Sequence, residues 1–323
     1  MSTLFLDHKG LTLGFEGECI ALYEQGTRRG TVPLHLLERV VIRGQVTLDT
    51  RLLGALAEKG IGVLMLSGRN HRNIGMLFGK PHNDSQRRVA QYAGYLDAAE
   101  RLRLSRWLVV GKLRSQKRLL AAALAQRQDL RHALTTGIAT LDGILAQLTS
   151  EVWSVAQLRG FEGSAAAAYF KAYSTLFAPS LQFTSRERRP PTDPVNACLS
   201  LGYTLLHFDA VKACHESGLD PYIGFFHDPA FGRESLACDF IETQRAKLDT
   251  LIWRLFRERV LRAENFSADN GKVLLNKSGR KHFYAEYEVF ARPVRRLLRR
   301  YGHSLAQRFV VGFKELNNAP AIY

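Results

Sequence analysis

Residues 79–126 read GKPHNDSQRRVAQYAGYLDAAERLRLSRWLVVGKLRSQKRLLAAALAQ, and this stretch divides the chain into two kinds of structure. Its first part, 79–86, is polar and rich in residues that form turns. From residue 87 onward, apolar residues recur at helical spacing and no proline interrupts them. We therefore predict a linker at residues 81–90 and a long helical segment after it.

Upstream of this stretch, residues 1–80 contain short apolar runs such as TLFLD and GVLMLSG, separated by glycine, asparagine and aspartate. This pattern is typical of β-strands joined by turns. Only DTRLLGALAEKG has helical spacing, with Asp49 as the expected N-cap and Gly60 as the expected end. Residues 1–80 are thus predicted to form a small β-rich domain.

Downstream, residues 91–323 keep a helical pattern to about residue 313, without internal repeats or low-complexity segments. The predicted fold class is α+β, in which a small N-terminal β-rich domain is followed by a larger all-helical domain. A chain of 323 residues, of which 46% are hydrophobic, is long enough to form two separate cores.

The charge of the chain narrows its possible partners. The formal net charge is +15 and the isoelectric point is near 9.9, which favours an anionic polymer such as DNA or RNA, or an anionic membrane surface. No apolar run is long enough to span a membrane, and the N-terminus lacks the order of a signal peptide, so we expect a cytoplasmic protein. The four cysteines form no CxxC pair, which argues against a zinc ribbon.

Three acids and one histidine are candidates for a metal site. Glu162 lies in the alanine-rich run RGFEGSAAAAYF, which favours a helix. Asp239 and Glu242 are three residues apart in a second helical pattern, so their carboxylates share a face. His227 lies in a segment broken by glycine and proline, which predicts a loop just before that second helix.

These side chains can converge on one divalent cation. Carboxylate oxygens suit Mg²⁺ or Mn²⁺, and an imidazole nitrogen favours Mn²⁺. Each residue also has an ordinary interpretation: Glu162 as a surface acid, His227 as a loop histidine, and the pair Asp239 and Glu242 as acids that complement a helix dipole. Taken one at a time, the four residues leave both interpretations open.

Arginines form two candidate surfaces for phosphate. One is a helical stripe within residues 289–314, a stretch that contains no acid, and the other is the proline-arginine segment SRERRPPTDP from Ser185. Both surfaces can bind phosphate or can be ordinary solvated faces. Asn196 is a candidate for holding the backbone near the site. The candidate DNA-binding residues are Arg186, Arg188, Arg189, Arg245, Arg292, Arg295, Arg296 and Arg299.

Four blocks of the sequence, in this order along the chain, resemble one protein family. They are RGFEGSAAAAYF (159–170), RERRPPTDPVNACLSLGYTLL (186–206), GLDPYIGFFHDPAFGRESLACDFIE (218–242) and FYAEYE (283–288). Together they are similar to the CRISPR-associated integrase and endonuclease family, Cas-one, which inserts new spacers into a CRISPR array. The likeness extends over nearly the whole chain.

The resemblance implies a site, a reaction and partners. It implies Glu162, His227 and Glu242 as catalytic metal ligands, with Asp239 as a nearby second carboxylate, and Mg²⁺ or Mn²⁺ as the metal. It implies an N-terminal domain that dimerises and a helical domain that joins 3′-hydroxyl ends of protospacer DNA to the CRISPR repeat by transesterification. The implied partners are a second copy of the chain, the small Cas-two protein, protospacer DNA and leader-repeat DNA.

Two other functions fit the same residues. A metal-dependent nuclease or branched-DNA resolvase would use the same acids with water as the attacking group. A DNA-binding scaffold without catalysis would use the basic faces alone and keep the acids for folding.

Overall fold

The computed structural model describes residues 2–8, 10–68, 73–150, 153–187 and 190–318, and in residues 150 and 314–318 it describes the backbone alone. The chain forms two compact units, Met1–His82 and Asn83–Tyr323. The predicted linker, 81–90, spans this division, and its second half lies inside a helix that begins at Gln86. The predicted class, a β-rich N-terminal region followed by a mostly helical region, is confirmed.

The N-terminal unit contains two four-stranded sheets. In one, the strand order is β1-β5-β7-β8, and in the other it is β4-β3-β2-β6. The elements are β1 Ser2–Leu6, β2 Leu11–Glu16, β3 Cys19–Glu24, β4 Thr27–Pro33, β5 Leu37–Arg43, β6 Val46–Leu48, α1 Thr50–Glu58, β7 Gly62–Leu66 and β8 Asn73–Leu77.

The core of this unit explains its strand order. Strand β5 pairs in parallel with β1 on one side and with β7 on the other, and it is buried along almost its whole length. Its side chains Leu37, Val40 and Ile42 belong to the apolar core, and the buried Arg39 donates a hydrogen bond of 2.7 Å to the hydroxyl of Thr3 on β1. Helix α1 begins as predicted, because the carboxylate of Asp49 accepts the backbone N–H of Leu52, and Gly60 follows its end at a φ of 64°.

The C-terminal unit is built from seven helices and one hairpin among its described residues. The prediction of an all-helical unit is therefore wrong in one place, because β9 and β10 form an antiparallel pair before the last helix. The elements are α2 Gln86–Leu96, α3 Ala98–Gln126, α4 Arg131–Ser150, α5 Val155–Ser174, α6 Pro194–Ser217, α7 Ser235–Arg257, β9 Phe266–Asp269, β10 Lys272–Leu275 and α8 Lys277–Asn318.

Helix α7 lies at the centre of this unit and packs against α3, α6 and α8, while α3 also packs against α4 and α5. Local sequence signals set the helix starts. Ser154 and Gln157 form a capping box at α5, and Asp193 caps α6 with Pro194 in its first turn. None of the described helices combines the length and apolar character that spanning a lipid bilayer requires.

Candidate metal centre

Glu162 and Glu242 meet at a single ammonium group. Glu162 lies on α5, Glu242 on α7 and Lys112 on α3. The Nζ atom of Lys112 donates a hydrogen bond to Oε1 of Glu162 and lies 2.5 Å from Oε2 of Glu242. The side chains of Lys112 and Glu242 are 11% and 4% exposed. Three helices thus bring two carboxylates to one buried cationic position.

Glu242 is ionised in this environment. Its burial opposes ionisation, but the positive charges of Arg245 and Lys112 outweigh burial and lower the pKa of Glu242 well below its usual range. The Oε1 atom accepts a hydrogen bond of 2.7 Å from Nε of Arg245. The Oε2 atom is buried without a partner in hydrogen-bond geometry, despite its short distance to Lys112. The Lys112 ammonium thus stands where a cation bound to this oxygen would lie.

His227 is oriented by Asp239. Its Nδ1 atom lies 2.7 Å from Oδ1 of Asp239, whose oxygens also accept the backbone N–H groups of Phe225, Phe226 and His227. A carboxylate that binds one imidazole nitrogen fixes the ring and directs the other nitrogen, here Nε2, toward a metal. Because four donors already occupy Asp239, its geometry is that of an orienting group.

Gly224 allows the histidine loop to lie against the start of α7. A Cβ atom at this position would stand 2.6 Å from the carbonyl carbon of Ser235 and 2.9 Å from Oδ2 of Asp239. Any larger residue would therefore push the loop away from the helix. The glycine in GFFH is a signal of this close approach that the sequence contains.

Two arginines hold the other side of the same loop. Asp228 forms ion pairs with Arg101 of α3 and with Arg159 of α5, and the hydrogen bond from Arg159 lowers its pKa. Arg159 also donates to the carbonyl of Phe226 at 2.8 Å, and Arg101 donates to that of Phe225 at 3.1 Å. The loop that holds His227 is thus fixed by α3, α5 and α7 together.

The predicted ligands are close together but are not arranged as a complete metal cage. Within the part of the chain that the structure describes, no group of three or more His, Cys, Asp or Glu side chains is placed to hold a metal ion. The ammonium of Lys112 stands between the two carboxylates instead. Two carboxylates and one oriented imidazole are groups that suit a divalent cation chemically. The ligand assignment stays a prediction.

A second buried carboxylate lies two turns further along α7. The hydroxyls of Tyr203 and Tyr169 donate to the carboxylate oxygens of Asp249 at 2.5 and 2.7 Å. Burial raises the pKa of Asp249 to about 6, although these hydrogen bonds oppose the shift. The guanidinium of Arg245 lies over the Tyr203 ring, 4.6 Å from its centroid, and so connects this group to Glu242.

The proline-arginine segment is held by Asn196. Its side chain accepts from the Glu187 backbone and from Arg186 and donates to the carbonyl of Ser185, so it does hold this loop. Arg186 also lies 5.5 Å from the Tyr203 ring centroid. Arg188 and Arg189 are outside the described residues. Arg245 pairs with Glu242, and Arg186 is hydrogen-bonded within the protein.

The arginine stripe of α8 is partly neutralised. Arg295 is 5% exposed and pairs with Glu288 at 2.6 Å, and Arg292 lies 3.9 Å from the same carboxylate. Arg299 pairs with Glu216 of α6 at 3.2 Å. The expectation that no acid compensates this stripe is wrong, because the acids lie one turn earlier and on another helix. Arg296 and Arg300 are exposed.

The sequence interpretation missed Lys112, Arg101 and Arg159. Lys112 had a signal, because it stands among the buried residues Val109, Leu113 and Gln116 on an otherwise inward face of α3. A lysine on a buried helix face needs an acidic partner. Arg101 had no such signal, since arginines recur along α3.

Solved structures of other proteins share the fold of this chain. The fold is similar to that of a Cas1 protein from Thermotoga maritima, with a TM-score of 0.83 at 23% identity over 96% of this chain and 97% of the other. It is also similar to a casposase bound to an integration product, with a TM-score of 0.80 at 20% identity over 95% and 91% of the two chains.

The chain belongs to the family of the CRISPR-associated protein Cas1, whose model matches residues 4–289. A CRISPR-associated endonuclease Cas1 from Thermodesulfovibrio yellowstonii is 38% identical over 96% of this chain and 98% of its own length. Another from Thermus thermophilus is 34% identical over 96% and 91%. The predicted membership of this family is confirmed.

Proposed function

We propose that this protein is a metal-dependent DNA integrase and endonuclease of CRISPR adaptation. The observation that carries the proposal is the convergence of Glu162 and Glu242 on one buried cationic position, beside a histidine that Asp239 orients. Membership of the Cas1 family supports it, and so does the net charge of +15, which suits a polyanionic substrate.

The residues that would hold the metal are Glu162, Glu242 and Nε2 of His227, and the donor set suits Mg²⁺ or Mn²⁺. When bound, a divalent cation would supply Lewis-acid stabilisation of the reacting phosphate and would acidify the attacking hydroxyl. Asp239 is proposed to act on His227 and not as a ligand, because its oxygens are occupied by four donors.

The chain itself would position the groups around that centre. Arg245 holds Oε1 of Glu242 at 2.7 Å, which leaves Oε2 directed toward the cationic position. The Lys112 ammonium bridges both carboxylates and, once a metal replaces it there, would be able to bind a phosphate oxygen of the DNA. Acids in an otherwise basic protein are thus needed for the cation, while arginine and lysine bind the DNA backbone.

The proposed reaction exchanges one phosphodiester for another. The 3′-oxygen at the end of a protospacer strand forms a bond to phosphorus in the repeat, the bond from that phosphorus to its original 3′-oxygen breaks, and the departing oxygen takes up a proton. The same residues would hydrolyse the bond if water replaced the hydroxyl. The endonuclease activity named for the relatives supports this second outcome as an alternative.

We also propose partners for the reaction. The N-terminal β unit would pair two copies of the chain, and the assembly would include the small Cas2 protein, protospacer DNA and leader-repeat DNA. A solved complex named Cas6-RT-Cas1–Cas2 has a chain of this fold, with a TM-score of 0.80 over 95% of this chain. Arg292, Arg296 and Arg299 on α8 would contact phosphates, whereas the buried Arg295 would support the helix.

Strand transfer tests the proposal directly. A labelled duplex with free 3′-hydroxyl ends is incubated with a supercoiled plasmid carrying a CRISPR array, the Cas2 partner, and Mn²⁺ or Mg²⁺. We expect covalent joining of the label by the natural protein, loss of joining in Glu162→Ala and His227→Ala, and retention in the control Glu264→Ala, whose carboxylate is 69% exposed. Nicking without joining would favour the nuclease or resolvase, and binding without reaction would favour the scaffold.

Metal binding is measured separately by Mn²⁺ titration calorimetry. Glu162→Ala and His227→Ala should each weaken binding, and Glu264→Ala should not. Unchanged Mn²⁺ affinity in both site variants would exclude these residues as ligands, even if joining were lost.

A further inference from the structure

Phe231 is the most exposed large apolar side chain among the described residues, and its phenyl ring is fully exposed. It lies four residues after His227, on the segment between the histidine loop and the start of α7. An exposed phenyl ring forgoes the free energy of burial that aromatic residues usually contribute. A single exposed residue is ordinary on a protein surface, so its meaning depends on how its backbone is held.

The backbone around Phe231 is tightly fixed. The N–H of Arg233 donates to the carbonyl of Ala230 at 3.0 Å and closes a four-residue turn, with Phe231 in its second position. Gly232, in the third position, has a φ of 68°, as a type II turn requires. The hydroxyl of Ser235 donates to the carbonyl of Asp228 at 2.9 Å, which ties the two sides of the segment together.

The base of this segment is fixed as well. Asp228 is paired with Arg101 and Arg159, and the preceding loop is bound to Asp239. The turn thus presents a fully exposed ring on a backbone anchored to the same helices that position the proposed metal ligands. Arg233, in the fourth position of the turn, is also exposed.

We propose that Phe231 stacks on a nucleobase of the DNA substrate, close to the phosphate that reacts. This inference rests on the proposed function for its substrate class. A single ring beside an exposed arginine matches one base and its phosphate, because aromatic stacking and cationic contacts together bind unpaired nucleotides. A protein partner would instead need a contiguous patch of large apolar side chains, and Phe231 is the one large apolar residue in the exposed segment 228–233.

The reach of the turn limits which base is contacted. Four residues of extended chain span at most about 14 Å, and successive nucleotides of one strand rise about 3.4 Å along the axis. The contacted base therefore lies within about four nucleotides of the reacting phosphate.

Abasic scanning of the DNA tests this contact. Single nucleotides on both sides of the joining point are replaced by abasic residues, and joining is measured with the natural protein, Phe231→Ala, Phe231→Leu and Phe231→Trp. On intact DNA, Phe231→Ala and Phe231→Leu should lower joining about 5- to 100-fold, because a stacked base is lost, whereas Phe231→Trp should stay close to the natural protein. Leu96→Ala, which truncates another strongly exposed apolar residue, is the matched control.

The result that identifies stacking is non-additivity at one nucleotide. At that abasic position the natural protein should lose the same factor, and Phe231→Ala should lose nothing further. Equal rates for Phe231→Ala and the natural protein on intact DNA would overturn the inference. Equal further losses at every abasic position would also overturn it, and so would a defect seen only when the Cas2 partner is present, which would indicate a protein contact.

A binding measurement separates this inference from the proposed chemistry. With 2-aminopurine at the identified position, or at each position in turn, Glu162→Ala should quench its fluorescence as the natural protein does, and Phe231→Ala should not. If the natural protein joined no DNA but quenched 2-aminopurine in a way that depends on Phe231, the result would support the contact and contradict only the proposed chemistry. Equal quenching with and without the ring would contradict the contact alone.

Discussion

Two of the buried carboxylates of helix α7, Glu242 and Asp249, lie in opposite environments. Glu242 lies beside the cations Arg245 and Lys112, which lower its pKa despite its burial. Asp249, seven residues later, is surrounded by tyrosine hydroxyls, and burial raises its pKa to about 6. Burial alone would raise both pKa values, so the neighbours decide the charge. One carboxylate is suited to binding a cation, and the other to fixing a core.

The largest expected effect follows from removing the charge of Glu242. Glu242→Gln keeps the shape of the side chain but leaves Arg245 and Lys112 without their carboxylate. We expect Mn²⁺ affinity and strand joining to fall by about 100-fold or more, because a direct ligand should cost at least as much as the 10- to 100-fold of an orienting group. Calorimetry and the joining assay measure this, with Glu264→Gln as the exposed control. A folded Glu242→Gln protein that binds Mn²⁺ as tightly as the natural protein would show that the charge of Glu242 is not needed for cation binding.

The second largest effect on Mn²⁺ affinity is expected from displacing the loop that holds His227, which lies on the side of Glu242 and away from Asp249. Gly224→Ala places a methyl group 2.6 Å from the Ser235 backbone, so we expect a loss of about 1–3 kcal/mol in stability and about 10- to 100-fold in Mn²⁺ affinity. Gly163→Ala is the matched control, because its new methyl group meets nothing within 4 Å on helix α5. If Gly224→Ala and Gly163→Ala bind Mn²⁺ with equal affinity, the position of the His227 loop does not determine metal binding.

The third prediction concerns pH and Asp249. The folded pKa of about 6 lies above the ordinary value of about 3.9, so the folded state binds the proton more tightly than the unfolded state. This contribution to stability is fully present below about pH 4 and is lost as the pH rises to about 6. In Asp249→Asn it is absent, so the natural protein should lose up to about 3 kcal/mol relative to the variant across this range.

Urea unfolding at several pH values measures that difference. Both proteins should otherwise bind Mn²⁺ alike, because Asp249 does not approach the proposed ligands. A difference between the two proteins that is independent of pH would show that Asp249 does not titrate in this range.

The smallest effect is expected from Tyr203. Tyr203→Phe removes its hydrogen bond to Asp249 but keeps the ring under Arg245, and we expect a loss of about 1 kcal/mol in stability with little change in joining. Tyr203→Leu also removes the ring, which should cost about another 0.5–2 kcal/mol and should weaken the hold of Arg245 on Glu242. Thermal unfolding and joining rates are measured for both variants. Equal joining rates in Tyr203→Phe and Tyr203→Leu would show that the surroundings of Asp249 do not influence Glu242.

Local signals in the sequence predicted the elements well. Asp49 begins its helix as expected, and the change of pattern near residue 80 lies close to the division between the two compact units. These features depend on a few neighbouring residues, so they can be read from a short window. The hairpin of β9 and β10 was not predicted from the sequence, because its strands have only four residues each.

The partners of the site residues could not be predicted in this way. Lys112 is 50 residues from Glu162 in sequence, and Tyr203 is 46 residues from Asp249. Such pairs depend on how α3, α5, α6 and α7 pack, which periodicity does not specify. The prediction that no acid compensates the arginines of α8 was wrong for the same reason, since Glu216 pairs with Arg299 from another helix.

Lys112 also bears on which ions the centre can discriminate. Two adjacent carboxylates would repel each other, and the ammonium between them serves as a built-in counterion. A monovalent ion that replaced it would bring no additional charge and would first have to displace a tethered competitor. Only an ion of higher charge gains electrostatic energy by the exchange. We therefore expect Lys112 to favour divalent ions over potassium and sodium at this position.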